Sequence, residues 1–143
     1  MMFGKRARAI NRILIVEDEV LVAFDAEHYL REHGYRVVAT VDGVAAALTV
    51  IATSPLDLIL ADVRLSGGNG GLDVARAARE KGVPVLFVTG DCPVEAQLLA
   101  IGCLAKPYSQ RALRDAIMAV EAKLAGTALG RLSPGLTLYG EGA

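Results

Sequence analysis

Short, uniformly apolar runs that alternate with helical patterns constrain this chain more than any other feature. The runs are Arg12–Val16, Tyr35–Val41, Leu56–Ala61, Val83–Val88 and the very short Cys103–Ala105. Runs that stay apolar, rather than alternating with polar residues, predict strands buried on both faces. Between them, Val20–His33 predicts a helix with Leu21, Phe24, His28 and Leu30 near one stripe and Gly34 at its end. Val44–Thr53 predicts a second helix, capped by Asp42 and closed by Pro55. Leu72–Lys81, ending at Gly82, predicts a third, and about Val94–Ile101 a short fourth. Ser109 caps a last helix to about Leu124, with Leu113, Ile117, Val120 and Leu124 on one face. Strands and helices in this alternation, joined by right-handed crossovers, predict an α/β fold: a doubly wound five-stranded parallel sheet with helices on both faces.

A chain of 143 residues, 53% hydrophobic, holds one domain with a real core and is too short for two. The division expected is a flexible basic arm over 1–11, the domain over 12–124, and a glycine-rich flexible tail over 125–143 in place of an output domain. A formal net charge of -1 argues against non-specific attraction to nucleic acid or an anionic membrane. Lys5, Arg6, Arg8 and Arg12 resemble the front of a secretory signal, but Glu17-Asp18-Glu19 stops the apolar run that follows. No stretch has the roughly 20 apolar residues of a membrane helix. The expectation is a cytoplasmic protein whose two cysteines, Cys92 and Cys103, are reduced thiols.

In a doubly wound fold the C-terminal strand ends converge on one rim, where ligands bind. Those ends are Glu17-Asp18-Glu19 after the first strand, Asp62 after the third, Thr89-Gly90 after the fourth and Lys106-Pro107 after the fifth. Carboxylates this close repel each other unless a cation joins them, and hard oxygen donors with room for water suit Mg²⁺. An Asp in such a site is a nucleophile toward phosphorus, a lysine neutralises a phosphoryl oxygen, and a threonine hydroxyl hydrogen-bonds another.

Glu17-Asp18, Asp62, Thr89-Gly90 and Lys106-Pro107, in this order on these strand ends, resemble the pattern of response-regulator receiver domains over about Asn11–Leu124. The resemblance implies the flavodoxin-like strand order 2-1-3-4-5, with Asp62 as phosphoacceptor. It also implies that Asp18 and Asp62 ligate Mg²⁺ together with the backbone carbonyl of Arg64, with Glu17 nearby or acting through water. Lys106 then contacts the phosphoryl group, Thr89 is the switch hydroxyl, and Lys106-Pro107 is cis. The implied partners are a sensor histidine kinase or histidine phosphotransfer protein, docking on the first helix, and a downstream protein. Action is by contact or as a phosphate sink, as a monomer or weak dimer.

The sequence departs from that pattern at three places. Ser66 stands where receivers usually carry proline, Cys103 where they carry a switch aromatic, and the fourth helix is cut short. With Phe87-Val-Thr-Gly-Asp91, these departures resemble the mostly stand-alone receivers named for a Phe-Ala-Thr-Gly motif. In that case phosphorylation orders the fourth helix. Tyr108 and Pro107 are candidates to modulate the switch, with packing beside Pro107 the role chiefly expected of Tyr108. Arg64 and Asp91 are candidates to pair across the mouth and hinder hydrolysis. His28 is expected to be a partly buried packing residue and His33 a solvated one. The alternatives are a Mg²⁺-dependent phosphohydrolase of the haloacid dehalogenase type, which wants an acid where Arg64 stands, and a phosphate-independent receiver-fold binding module.

Overall fold

The structure is a computed structural model, described here for residues 9–65 and 67–140. The N-terminal run that carries Lys5, Arg6 and Arg8 lies outside the described residues, as does Ser66.

The elements in chain order are β1 (Arg12–Val16), α1 (Val20–Glu32), β2 (Arg36–Val41), α2 (Val44–Thr53), β3 (Leu58–Ala61), α3 (Gly70–Glu80), β4 (Val85–Thr89), α4 (Ala96–Leu99), β5 (Gly102–Ala105), α5 (Gln110–Ala125) and β6 (Leu136–Leu138). They form a six-stranded sheet in the order β2-β1-β3-β4-β5-β6. The first five strands pair in parallel in the expected order, and β6 adds antiparallel to β5.

Side chains alternate across each strand and feed two cores. Ile13, Ile15, Leu58, Leu60, Leu86, Val88 and Leu104 pack with Leu30 of α1 and Leu113, Ile117 and Val120 of α5. Leu14, Val16, Ile59, Ala61, Val85, Phe87 and Cys103 pack with α2, α3 and α4 on the other face. Complete burial of each Leu or Ile contributes about 1.5–3 kcal/mol, which accounts for the all-apolar stretches Ile13–Val16, Leu58–Ala61 and Val85–Val88.

Several local expectations need correction. Burial on α1 falls on Ala23, Ala26 and Leu30, while Leu21 and Phe24 are 77% and 63% exposed. Small alanines let the helix lie close to the sheet, and the larger apolar side chains face outward. His28 is exposed too, stacked on Phe24 and 3.2 Å from Glu32; His33 is half-buried, its Nδ1 2.9 Å from the Tyr29 carbonyl. The N-cap of α2 is Gly43, and it makes no side-chain cap bond, so Asp42 does not serve. Leu124 is exposed, whereas Ser109 caps α5 by accepting from the Ala112 amide at 3.0 Å.

Two further expectations fail in the C-terminal half. Cys92 and Cys103 are joined as a disulfide rather than reduced. Their Cα atoms lie 6.4 Å apart, inside the bridging range of about 4.4–6.8 Å. The flexible tail expected over 125–143 contains β6, whose Leu136 is buried against the α1–α5 core.

Candidate functional site

Parallel strands with short connections aim Glu17, Asp62, Thr89 and Lys106 at one rim. Asp62 follows β3 and its amide donates to the Val16 carbonyl, which brings the ends of β1 and β3 together. The Lys106 amide donates to the carbonyl of Thr89, which ties the end of β5 to that of β4. The Lys106-Pro107 bond is cis, as expected. Beneath Asp62, Gly71 opens α3 so close to the backbone that an added Cβ would lie 2.1 Å from the Asp62 carbonyl oxygen. Any side chain there would push Asp62 off the rim.

The four strand ends meet at Lys106. Its Nζ lies 2.8 Å from Asp62 Oδ2, 2.8 Å from Glu17 Oε1 and 3.1 Å from Glu19 Oε1. Glu17, Asp62 and Thr89 are the polar or charged residues buried among the described residues, at 6%, 6% and 1% exposure. Burial of a charge is costly unless it is paired. Burial therefore pushes the Glu17 carboxyl above its usual range, opposed by the hydrogen bond from Lys106. Burial also works against the Lys106 ammonium, but hydrogen bonds to Asp62, Glu17 and Glu19 outweigh it and hold the proton more firmly than in a free lysine. Glu19, to which the sequence reading assigned no role, joins the cluster from its exposed side.

Carboxylate oxygens of Glu17, Asp18 and Asp62 all lie within 4.8 Å of one another. Three hard oxygen donors gathered together, with the Lys106 ammonium in contact with two of them to take part of the charge, fit Mg²⁺ better than a soft metal. The remaining candidates divide. The Arg64 amide donates to Asp62 Oδ1 at 3.0 Å, so this residue holds the carboxylate in place. No ion pair joins Arg64 to Asp91 among the described residues, and both are exposed. Hydration competes well with such a contact, worth about 0–1 kcal/mol. Tyr108 packs half-buried against the α1–α5 core, beside a cavity of about 390 Å³ shared with Glu19, Asp25, Lys106 and Pro107.

Residues 13–118 match the family model described as the response regulator receiver domain. The chain belongs to the response-regulator receiver family. The receiver is 37% identical over 117 residues to the sensory transduction protein RegX3 of Mycobacterium tuberculosis, an alignment that covers 78% of this chain and 51% of that one. It is similar to the solution structure of SdrG from Sphingomonas melonis, with 32% identity and a TM-score of 0.69, over 80% of this chain and 98% of the other. A CheY-like receiver from Methanospirillum hungatei, at 23% identity, shares the fold with a TM-score of 0.71 over 82% and 98% of the two chains. The chain spans about half the length of the first curated relatives it matches.

Receivers are the signalling domains of two-component response regulators, generally not enzymes, and they interact with histidine kinases and downstream effectors. Receivers bind Mg²⁺ in an acidic pocket, and Glu17, Asp18 and Asp62 form an acidic cluster in this one. Among the described residues, no helix is long and apolar enough to cross a membrane.

Proposed function

We propose that this receiver accepts a phosphoryl group on Asp62 from a histidine kinase or a histidine phosphotransfer protein. The observation that carries the reading is the convergence of Lys106 Nζ on Asp62 and Glu17, at 2.8 Å each, with Asp18 in the same cluster. An Asp62 oxygen attacks phosphorus, the P–N bond of the donor phosphohistidine breaks, and an acyl phosphate forms on Asp62. Lys106 neutralises a phosphoryl oxygen and the Thr89 hydroxyl hydrogen-bonds another. Glu17, Asp18, Asp62 and the Arg64 carbonyl would hold Mg²⁺, which supplies charge neutralisation when bound. The acyl phosphate is lost slowly to water, a weak self-dephosphorylation.

The exposed apolar side chains of α1 support docking of the donor there. Val20, Leu21 and Phe24 are 78%, 77% and 63% exposed and lie beside the rim that holds Asp62. An apolar helix face left uncovered suits the helices of a phosphotransfer partner. The subgroup reading as a stand-alone cytoplasmic receiver rests on Phe87-Val-Thr-Gly-Asp91, on Cys103 at the aromatic position and on the single turn of α4. In that reading the protein acts by contact with a downstream protein or by draining phosphate from a shared pathway, as a monomer or weak dimer.

The test is incubation with acetyl phosphate and Mg²⁺. An acid-stable, base-labile label on Asp62 that disappears in Asp62→Asn supports the reading. Label elsewhere in the chain, or equal uptake by Asp62→Asn, contradicts it. Turnover of a generic phosphomonoester would instead favour a phosphohydrolase.

A further inference from the structure

The disulfide lies where it can govern the switch region. Cys92 comes three residues after Thr89 in the loop between β4 and α4, and Cys103 lies on β5, directly paired with Phe87 of β4. The bond closes a ring that contains the whole of α4. Within that ring, α4 is one turn long, Ala96 is buried, and Val94 and Leu98 are 79% and 77% exposed. Other ties are few. Arg79 Nη1 donates to the Leu98 carbonyl at 2.7 Å, and the Ile101 amide to the Val85 carbonyl at 2.8 Å. Without the covalent tie, a segment with so few buried contacts opens readily.

The two sulfurs differ in access. Cys92 is exposed and Cys103 is completely buried in the core with Phe87 and Ala96. An outside reactant therefore meets Cys92 first, and Cys103 serves as the resolving thiol.

We propose that Cys92 and Cys103 form a reversible thiol–disulfide clamp on the β4–α4 loop, so that oxidation holds the switch segment and reduction releases it to respond to phosphorylation. Its second half rests on the reading of Asp62 as phosphoacceptor. With a peroxide as oxidant, the Cys92 thiolate attacks one oxygen, the O–O bond breaks, and Cys92 sulfenic acid and hydroxide result. The Cys103 thiol then attacks the Cys92 sulfur, forming the S–S bond and expelling water. Each sulfur is oxidised by one electron and the peroxide takes up two. Reduction runs through attack of a small thiol on the exposed Cys92 sulfur, with Cys103 leaving as thiolate. A second thiol then releases Cys92 from the mixed disulfide.

The experiment uses the full chain, reduced with dithiothreitol or oxidised with one equivalent of hydrogen peroxide. Thiols are counted by maleimide capture and mass, and hydrogen exchange is followed over 90–101. Two thiols after reduction and none after oxidation are expected. Exchange over 90–101 should be faster by about tenfold or more in the reduced protein, as for a segment freed from its covalent tie. Cys92→Ser, a change at an exposed site, should exchange at the fast rate under both conditions. Acetyl phosphate with Mg²⁺ should label Asp62 in both redox states but alter exchange over 90–101 only in the reduced one. Equal exchange in the two states, over-oxidised Cys92 beside a free Cys103, or an equal response to phosphorylation would overturn the clamp. Absence of label in both states, with redox-dependent exchange intact, would instead defeat the phosphoacceptor reading and leave the clamp standing.

Discussion

Lys106 Nζ lies 2.8 Å from Asp62 Oδ2, although the two residues are 44 positions apart and enter from different strands. The same ammonium touches Glu17 at 2.8 Å, so one lysine offsets two buried carboxylates. Its removal leaves like charges facing each other in a poorly solvated site. Lys106→Met should therefore destabilise the metal-free protein by about 3–5 kcal/mol, the range for breaking a buried ion pair. Urea unfolding in the presence of a chelator reads this loss, and millimolar Mg²⁺ should recover a larger part of it in the variant than Mg²⁺ adds to the parent.

Gly71 has no room for a side chain. A Cβ there would come 2.1 Å from the Asp62 carbonyl oxygen and 2.5 Å from Val63 Cα, both backbone atoms. Gly71→Ala should cost about 3 kcal/mol or more, at or beyond the upper end for overpacking. It should also lower phosphoryl uptake by Asp62 under conditions where the variant remains folded. Thermal unfolding together with acetyl phosphate labelling checks both.

The six-stranded sheet depends on a second glycine. An added Cβ at Gly102 would meet the Thr137 carbonyl oxygen at 2.6 Å and Leu138 Cδ2 at 2.9 Å, both on β6. Gly102→Ala should detach β6 while the parallel sheet persists. Hydrogen exchange should rise at 136–139, including the Tyr139 amide, which donates to the Ile101 carbonyl at 2.9 Å. The β1 and β3 amides should keep their protection.

Much of this architecture was legible in the sequence, and for a physical reason. Strands such as Ile13–Val16 and Leu58–Ala61 are buried on both faces, so the run itself announces the strand. Strand ends then place Asp62 and Lys106 by topology alone. What escaped depended on tertiary partners. Leu136-Thr137-Leu138 is too short and too surrounded by glycine to read as a strand, and only the free edge of β5 makes it one. The Cys92–Cys103 bond needs a Cα separation that spacing along the chain does not reveal. On α1 the small residues Ala23 and Ala26 outcompete Leu21 and Phe24 for the sheet, a packing choice invisible to hydrophobicity.

Tyr108 links the site to alkaline behaviour. Burial chiefly, with the nearby charge of Glu17, raises its phenol from 10.0 to about 12. A raised pKa means that the folded state keeps a proton the unfolded state has given up. Its contribution is therefore fully present below pH 10 and is lost as the pH rises from 10 to about 12. Stability measured across that window should fall more steeply in the parent than in Tyr108→Phe, and absorbance titration should show one delayed phenolate fewer in the variant, in which Tyr139 keeps its own raised step.

The central claim is that the four strand ends form one site around a single phosphoryl unit on Asp62. Amide NMR during titration with Mg²⁺ and beryllofluoride, a mimic of the acyl phosphate, tests it most directly. The account predicts saturable shifts concentrated at Asp62, Arg64, Thr89, Gly90 and Lys106, with none of the beryllofluoride shifts in Asp62→Asn. Shifts confined to one strand end, or equal shifts in Asp62→Asn, would contradict it.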